Sequence, residues 1–534
     1  MLKQIMIRLR SIHLPLVLVI LLIIVSQQLP NLYAWVKTPT DRLYTGQASW
    51  FDPWDVNVYL AAIKNGQMGH FLLANRYTTI LSSPSLFYPL YALLGLVLPL
   101  PTSLVFHLTA IVTGAVLLVC LYSWLKQFVN SKSLSLLGLA ICGLGGGLGW
   151  LASSNLAPAD LYITSFTFQS ALQRPHEALG ILLYFSGLIN LYWYLDVSRL
   201  PKHFWASLIS WLGLVLFYPY YLLLLMVVFP LLAFLKHERP TGLTKPKVAQ
   251  LTANLGLKNK PVLLKTFWVR WGSILITTSI ATLIYYWHLR QTGFSSVATQ
   301  VLSKPNLEQL LLGYGVFILF FAVWYCLPRK KITSRHLPFL ITWVVSCLVL
   351  SLLPLGIARF FLRGLFFPLT VILLLALKSI TDQVTQKLVV IFFVMLFLAS
   401  RVLVFAMRID VVTQNNPWVY LPADLQQVIS TIDQDSGGGV LAPYEVANYL
   451  PSVTHQSVFY GHTLQTPRGQ EAKTKQEGFF FHQLSQTEAG DFLHQNQIDW
   501  IVVAKNSYPQ FQAYPSLEKT LQTNNFTLYR LISN

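Results

Sequence analysis

Along most of this chain the apolar residues neither alternate with polar ones at the period of a strand nor mark one face of a helix. They run together, as in LPLVLVILLIIV (14–25) and LVVIFFVMLFLAS (388–400). A helix of about 20 such residues crosses the hydrocarbon core of a bilayer, where every backbone group must find its partner within the protein. Runs of this kind fall near 14–34, 103–125, 133–152, 177–196, 205–217, 222–235, 267–288, 308–327, 337–354, 364–378 and 388–407, which predicts about eleven spans. Pro219 in YPYY (218–221) marks either a tight turn between two of the shorter ones or a kink in a single helix, and two spans are preferred because one would put the next basic group outside.

The stretch PSLFYPLYALLGLVLPL (84–100) is apolar but short, and Pro89 and Pro99 interrupt it. Charge decides its placement. Counted as a span, it would invert every later basic loop; laid at the outer interface, it leaves them all inside, as the positive-inside rule requires. Those loops carry Lys126 and Lys132, then Lys236, Arg239, Lys245, Lys247, Lys258, Lys260, Lys265 and Arg270, then Arg329, Lys330, Lys331 and Arg335. The net charge of +18 is therefore a topology signal, and nucleic-acid binding is set aside.

With 54% hydrophobic and 11% charged residues, the chain reads as an integral membrane protein. Lys3, Arg8 and Arg10 precede the first apolar run as in a signal peptide, but no small-residue cleavage site follows, so the run is expected to stay as the first helix, N-terminus inside. Cys120, Cys142, Cys326 and Cys347 all lie in apolar segments, without zinc spacing or a disulfide framework. After residue 408 the membrane-length runs stop, and strand-like GVLAP (439–443) and DWIVVAK (499–505) alternate with helical stretches. The expected architecture is a polytopic α-helical membrane domain (1–408) with a long first outer loop (35–101), followed by an extracytoplasmic α/β domain (409–534).

Acids are scarce, and several gather in the predicted outer loops. Asp52 and Asp55 stand in the first; the second, 153–176, holds Asp160 and Arg174 and ends at His176 and Glu177. Carboxylates converging at a membrane surface suit a general base for an acceptor hydroxyl, and a second carboxylate suits orientation of the acceptor or a metal ion. Asp52, Asp55 and Asp160 are the candidate ligands for Mg²⁺ or Mn²⁺, with metal-independent chemistry as the alternative. Tyr59, Ala62, Ile63 and Gly66 follow Asp55 at helical spacing, which places it at the start of an interfacial amphipathic helix.

Asp55, an aromatic four residues on, a helix with Ala, Ile and Gly, and a juxtamembrane Pro-aromatic-Pro stretch resemble the first outer loop of the GT-C superfamily of membrane glycosyltransferases. PHEALG (175–180), RFFLRGLFFP (359–368) and YGHTLQTPRGQEAK (460–473) look like segments of uncharacterised bacterial proteins of this type. The resemblance implies a polyprenyl-phosphate-linked sugar donor, a glycan, lipid or protein acceptor, and a cytoplasmic-membrane location, with Asp55 as the base. The chain departs from the common pattern at Val56, where many members have a second acid, and offers Asp52 instead. Which of Asp52 and Asp55 acts stays open.

Arg359 and Arg363, four apart at an outer boundary, face one way on a helical turn and either clamp the phosphate of a lipid carrier or reach toward headgroups. Tyr460, His462 and Lys473 are the outer-domain candidates for an acceptor contact or a cap on the site, against a structural turn. GLGGGLG (143–149) lies in an apolar span with no P-loop context, so close helix packing is expected there. The rival functions are a flippase for lipid-linked saccharides, which ionisable residues at mid-membrane would favour, and a non-catalytic scaffold.

Overall fold

The computed structural model describes residues 2–50, 52–152, 158–162, 166–198, 200–237, 260–435 and 438–532. The side chains of Lys3, Arg8 and Arg10 and of the predicted basic group from Lys236 to Lys265 lie outside the described residues.

Among the described residues, seven helices are long and apolar enough to cross a membrane: Leu14–Val36, Thr102–Val129, Pro175–Val197, Phe267–Arg290, Leu307–Cys326, Ala358–Ser379 and Gln383–Thr413. The other four predicted spans appear as helices of 13 to 16 residues: Lys132–Leu144, Pro201–Val215, Leu222–His237 and Leu337–Leu352. At 1.5 Å per residue each extends only about 20–24 Å, short of a hydrocarbon core of about 30 Å. Composition and the bundle together make this a multi-pass membrane protein. The four cysteines are free thiols.

Helix α1 (Leu2–Val36) leads to strand β1 (Arg42–Tyr44), and helix α2 (Pro53–Gln67) follows. Asp52 caps α2 in the left-handed region, with φ 39°, a conformation that Asp tolerates better than most side chains. Helix α3 (Pro89–Val97) occupies the ambiguous apolar stretch; its nine residues are too few to cross a bilayer. α3 packs on α2 through paired glycines. A Cβ at Gly66 would lie 2.1 Å from the Ala92 carbonyl oxygen, and one at Gly95 would lie 2.0 Å from that of Ile63.

The amphipathic pattern expected of α2 is corrected by the fold, which buries it on more than one side. Val56 through Ile63 are all buried, because α3 and helix α4 (Thr102–Val129) cover one side and the C-terminal domain the other. Val58 and Ala61 of α2 share a core with Val440, Val446, Trp500 and Val502 of that domain.

The C-terminal domain is built on a five-stranded mixed sheet in the order β4-β3-β5-β7-β6. Its strands are β3 (Gly439–Leu441), β4 (Ser457–Val458), β5 (Ile498–Ala504), β6 (Leu517–Gln522) and β7 (Phe526–Leu531). β3 runs parallel to β4 and β5, while β7 is antiparallel to β5 and β6. Trp500 and Val502 face the core shared with α2, and Ile501 and Val503 face a second core beneath the flanking helices. Cover on both faces explains why WIVVA carries no polar alternation. A separate pair, β1 with β2 (Tyr420–Pro422), ties the exit of α1 to the exit of the last long helix.

Helix α5 (Lys132–Leu144) stops at the glycine run instead of continuing to residue 152 as expected. Gly145 to Leu148 leave the helix as a loop, with Gly146 N–H donating to Phe397 O and Leu148 N–H to Leu312 O. The close packing expected of these glycines is present, but in a loop; a Cβ at Gly147 would lie 2.2 Å from the Gly313 carbonyl oxygen.

Candidate active site

The N-terminus of α2, the start of the Pro175–Tyr192 helix, the turn at 358–363 and one loop of the C-terminal domain meet at a cluster of charged side chains. Arg174 stands at its centre and is nearly buried. Its Nη1 lies 3.5 Å from Asp55 Oδ2 and 3.5 Å from Glu177 Oε1, and its Nη2 lies 3.8 Å from Asp52 Oδ2. Nη2 also donates to the backbone carbonyl of Asp52 at 3.4 Å. One guanidinium thus fixes both loop acids relative to the helix bundle, using the planar donor fork that a lysine lacks.

Behind Arg174, Glu177 accepts from Ser170 Oγ at 3.1 Å and pairs with Arg363 Nη2 at 3.6 Å. Arg363 is buried and stacks 4.2 Å from the Tyr218 ring centroid. The sequence placed Arg359 and Arg363 on one face of a helical turn. Both guanidinium groups do approach the Phe360 ring, at 5.6 and 5.4 Å, but a 3-10 turn (Ala358–Leu362) ends there, Gly364 adopts φ 79°, and the two take different partners. Arg363 turns into the protein, whereas Arg359 is half-buried, within electrostatic reach of Asp52 and Asp55.

The fourth contributor is His462. Its Nε2 lies 3.0 Å from Asp55 Oδ1, while its Nδ1 accepts from the backbone N–H groups of Leu464 and Gln465, each at 3.2 Å. Asn57 Nδ2 donates to Asn448 Oδ1 at 2.8 Å, and Asn448 Nδ2 donates to Gly461 O at 2.8 Å, so the loop and the start of α2 are joined beside the carboxylate.

These contacts drive the two acids apart in acidity. Burial is the largest influence on Asp55 and raises its pKa, but the His462 hydrogen bond, then the Arg174 charge and smaller electrostatic contributions, outweigh it and hold the carboxyl below the ordinary aspartate range. Burial lifts Asp52 above 3.8; Arg174 opposes the shift and the neighbouring Asp55 adds to it. Burial disfavours the charge on Arg174, yet Tyr59, Glu177, Asp55 and Asp52 reverse that and raise its pKa. The side chains of Asp52 and Asp55 remain 36% and 27% exposed, so both acids are open to a substrate.

The remaining candidates sit elsewhere. His176 is enclosed by tyrosines: the Tyr91 hydroxyl accepts from the His176 backbone N–H and shares a hydrogen bond with its Nδ1 at 2.7 Å, and Tyr59 packs on the ring at 4.5 Å. Tyr460 stacks on Tyr444 at 5.2 Å, and Lys473 is exposed and paired with Glu477. Asp160 is buried inside the glycine loop, where its Oδ2 accepts from Gly147 N at 2.8 Å, Gly149 N at 3.3 Å and Ser400 Oγ at 2.7 Å. Turned into this cradle, it does not join the other two acids. Among the described residues no three His, Cys, Asp or Glu side chains are grouped to hold a metal ion, so the Asp52, Asp55 and Asp160 set does not fit Mg²⁺ or Mn²⁺.

Residues that the sequence did not single out include Asn57, Asn448, Ser170 and Tyr218. Ser170 bonds Glu177 seven positions on, but the partners of the others are remote along the chain, 391 positions apart for the asparagine pair, and no local spacing announces them.

What the fold and site define together is a multi-pass helical membrane protein whose α/β domain closes over a carboxylate and arginine cluster at one end of the bundle. No family model matches the chain, and no curated protein matches it. Among solved structures, it matches the apo form of the Archaeoglobus fulgidus oligosaccharyltransferase at 12% identity and TM-score 0.51, covering 91% of this chain and 69% of that one. It also matches AglB from Archaeoglobus fulgidus in complex with an inhibitory peptide and a dolichol-phosphate, at 11% identity and TM-score 0.50 with the same coverage. The chain therefore shares the fold of the Archaeoglobus fulgidus oligosaccharyltransferase. Both neighbours are archaeal, and at this identity they bear on the fold and not on the source of the chain.

Proposed function

We propose that this protein is a GT-C glycosyltransferase that moves a sugar from a polyprenyl-phosphate-linked donor to an acceptor hydroxyl on a glycan, lipid or protein at the outer face of the cytoplasmic membrane. The observation that carries the reading is Arg174 held between Asp52 and Asp55, two partly exposed carboxylates at the mouth of a GT-C-fold bundle. AglB, which shares the fold, has been captured with a dolichol-phosphate and a peptide, and that precedent supports the donor class.

In the proposed reaction a carboxylate takes the acceptor proton, the acceptor oxygen attacks the anomeric carbon, and the bond from that carbon to the phosphate oxygen breaks with the electron pair leaving on phosphate. The protein has to supply a base, alignment and stabilisation of that charge. Sequence resemblance pointed to Asp55 as the base. The geometry favours Asp52, because both oxygens of Asp55 are engaged, by His462 and Arg174, and its acidity is lowered. Asp52 makes one long side-chain contact, is the more exposed, and has its pKa raised toward the working range of a base. Arg359, whose buried Nε has no partner among the described residues, is the group for the departing phosphate. Arg363, committed to Glu177, holds Arg174 in place from behind.

The test is transfer from a panel of radiolabelled polyprenyl-phosphate sugars to acceptors in membranes containing native protein, Asp52→Asn or Asp55→Asn at matched expression. Transfer lost in Asp52→Asn supports the reading and names the donor. Native protein that is folded yet transfers from no donor would overturn it.

A further inference from the structure

His462 lies in the C-terminal domain, 407 positions after Asp55, and its side chain is almost fully buried. That burial leaves it little surface to offer an acceptor. Its ring nitrogens are both committed, and in opposite senses. Nδ1 receives two backbone N–H groups, from Leu464 and Gln465, so it carries no proton; the proton must reside on Nε2, which points at Asp55 Oδ1 from 3.0 Å. The loop that presents the ring is itself anchored. Thr466 Oγ1 donates to Tyr77 O at 2.6 Å, Asn75 Nδ2 donates to Gln465 O at 2.7 Å, and Ser296 Oγ donates to Leu464 O at 2.8 Å.

We infer that His462 is a positioning residue: locked in its Nε2–H tautomer by the Leu464 and Gln465 amides, it donates to Asp55 and fixes that carboxylate against Arg174, leaving Asp52 to meet the acceptor. This rests on the glycosyltransferase reading for its catalytic consequence, but the tautomer and the hydrogen bond do not. Protonation of Nδ1 would cost the two amide hydrogen bonds, so the geometry presents the ring to Asp55 as a donor through Nε2, beside the Arg174 guanidinium.

Two substitutions separate holding the carboxylate from holding the loop. Asparagine places an oxygen near the position of Nδ1 and keeps an acceptor for the two amides, but cannot reach Asp55. Glutamine places an N–H near the position of Nε2 and keeps the donor, but leaves the amides unpaired. The inference expects His462→Asn to unfold near the native temperature while kcat falls by roughly tenfold to a hundredfold, the range for losing a hydrogen bond to a charged group. The KM for donor should stay close to native. His462→Gln should lose thermal stability and keep most of kcat. Native-like kcat in His462→Asn, or kcat losses in both variants that track their loss of stability, would overturn it.

A second measurement is independent of turnover. In protein labelled with ¹⁵N-histidine, the resonance missing from His462→Asn should report an unprotonated Nδ1 and a protonated Nε2, and should shift in Asp55→Asn. The opposite tautomer overturns the inference even if transfer is observed. If native protein transfers nothing, the glycosyltransferase reading fails and the tautomer result decides this one.

Discussion

Asn57, in the first turns of α2, donates a hydrogen bond to Asn448 of the C-terminal domain across 2.8 Å, and both side chains are buried. Asn448 uses its own amide to reach Trp54 O at 3.2 Å and Gly461 O at 2.8 Å. A single side chain therefore fastens the helix that carries Asp55 to the loop that carries His462. Replacing Asn448 with Ala strands several buried polar groups, each worth about 1–3 kcal/mol when left unpaired. Thermal unfolding of purified protein should show a clear drop in midpoint, and transfer should fall with it; an unchanged midpoint would mean that the domain is held by its apolar contacts alone.

The opposite shifts of Asp52 and Asp55 make a pH prediction with a definite sign. A base with a raised pKa is lost as pH falls through that raised value, so with Asp52 as base the acid limb of kcat/KM lies above the ordinary aspartate range. Asp55, held below that range, stays ionised through that limb. An acid limb below the ordinary aspartate range in the native protein would return the proton to Asp55.

Gly66 and Gly95 leave no room for a methyl group where α2 crosses α3, since in each case the added carbon would lie about 2 Å from a carbonyl oxygen. Gly66→Ala and Gly95→Ala should each cost about 1–3 kcal/mol through overpacking. The backbone of α2 must move to relieve the clash, so transfer should drop in both variants. A native melting midpoint in either would refute the tight crossing.

Asp160 offers a contrast with the other loop acids. Its Oδ2 takes three donors while its Oδ1 has no partner among the described residues, and burial raises its pKa. An asparagine can put its oxygen in the cradle and its amide in the place of Oδ1. Asp160→Asn is expected to keep transfer within about twofold, the small effect of a polar swap that preserves the hydrogen bonds. Asp160→Ala should lower the melting midpoint by stranding Gly147, Gly149 and Ser400. Loss of transfer in a well-folded Asp160→Asn would bring Asp160 into the chemistry.

How far the sequence could be read depended on whether a feature was local. The spacing of Tyr59, Ala62, Ile63 and Gly66 announces the helix after Asp55, and the helix is there. What covers it was not legible, because Val440, Trp500 and Val502 approach Val58 and Ala61 from the far end of the chain. Hydropathy likewise finds apolar runs without measuring how much of each is helical. The run at 133–152 contains a 13-residue helix and then glycines whose amides bind Asp160. The four-residue spacing of Arg359 and Arg363 suggested a shared face, but the left-handed Gly364 beyond them belongs to a turn, and tertiary contact with Glu177 took Arg363 inside. The candidate acids themselves were visible because so few acids occur in the chain; the division of labour between them needed a partner at position 462.

The distance along the chain between Asp55 and His462 also has a consequence for biosynthesis. A ribosome releases the Asp55 helix long before the histidine that steadies it, with six of the seven membrane-length helices among the described residues in between. The bundle can be complete and its carboxylates already exposed while the donor for Asp55 is still untranslated. Arrival of the C-terminal domain is then the step that finishes the cluster around Asp55.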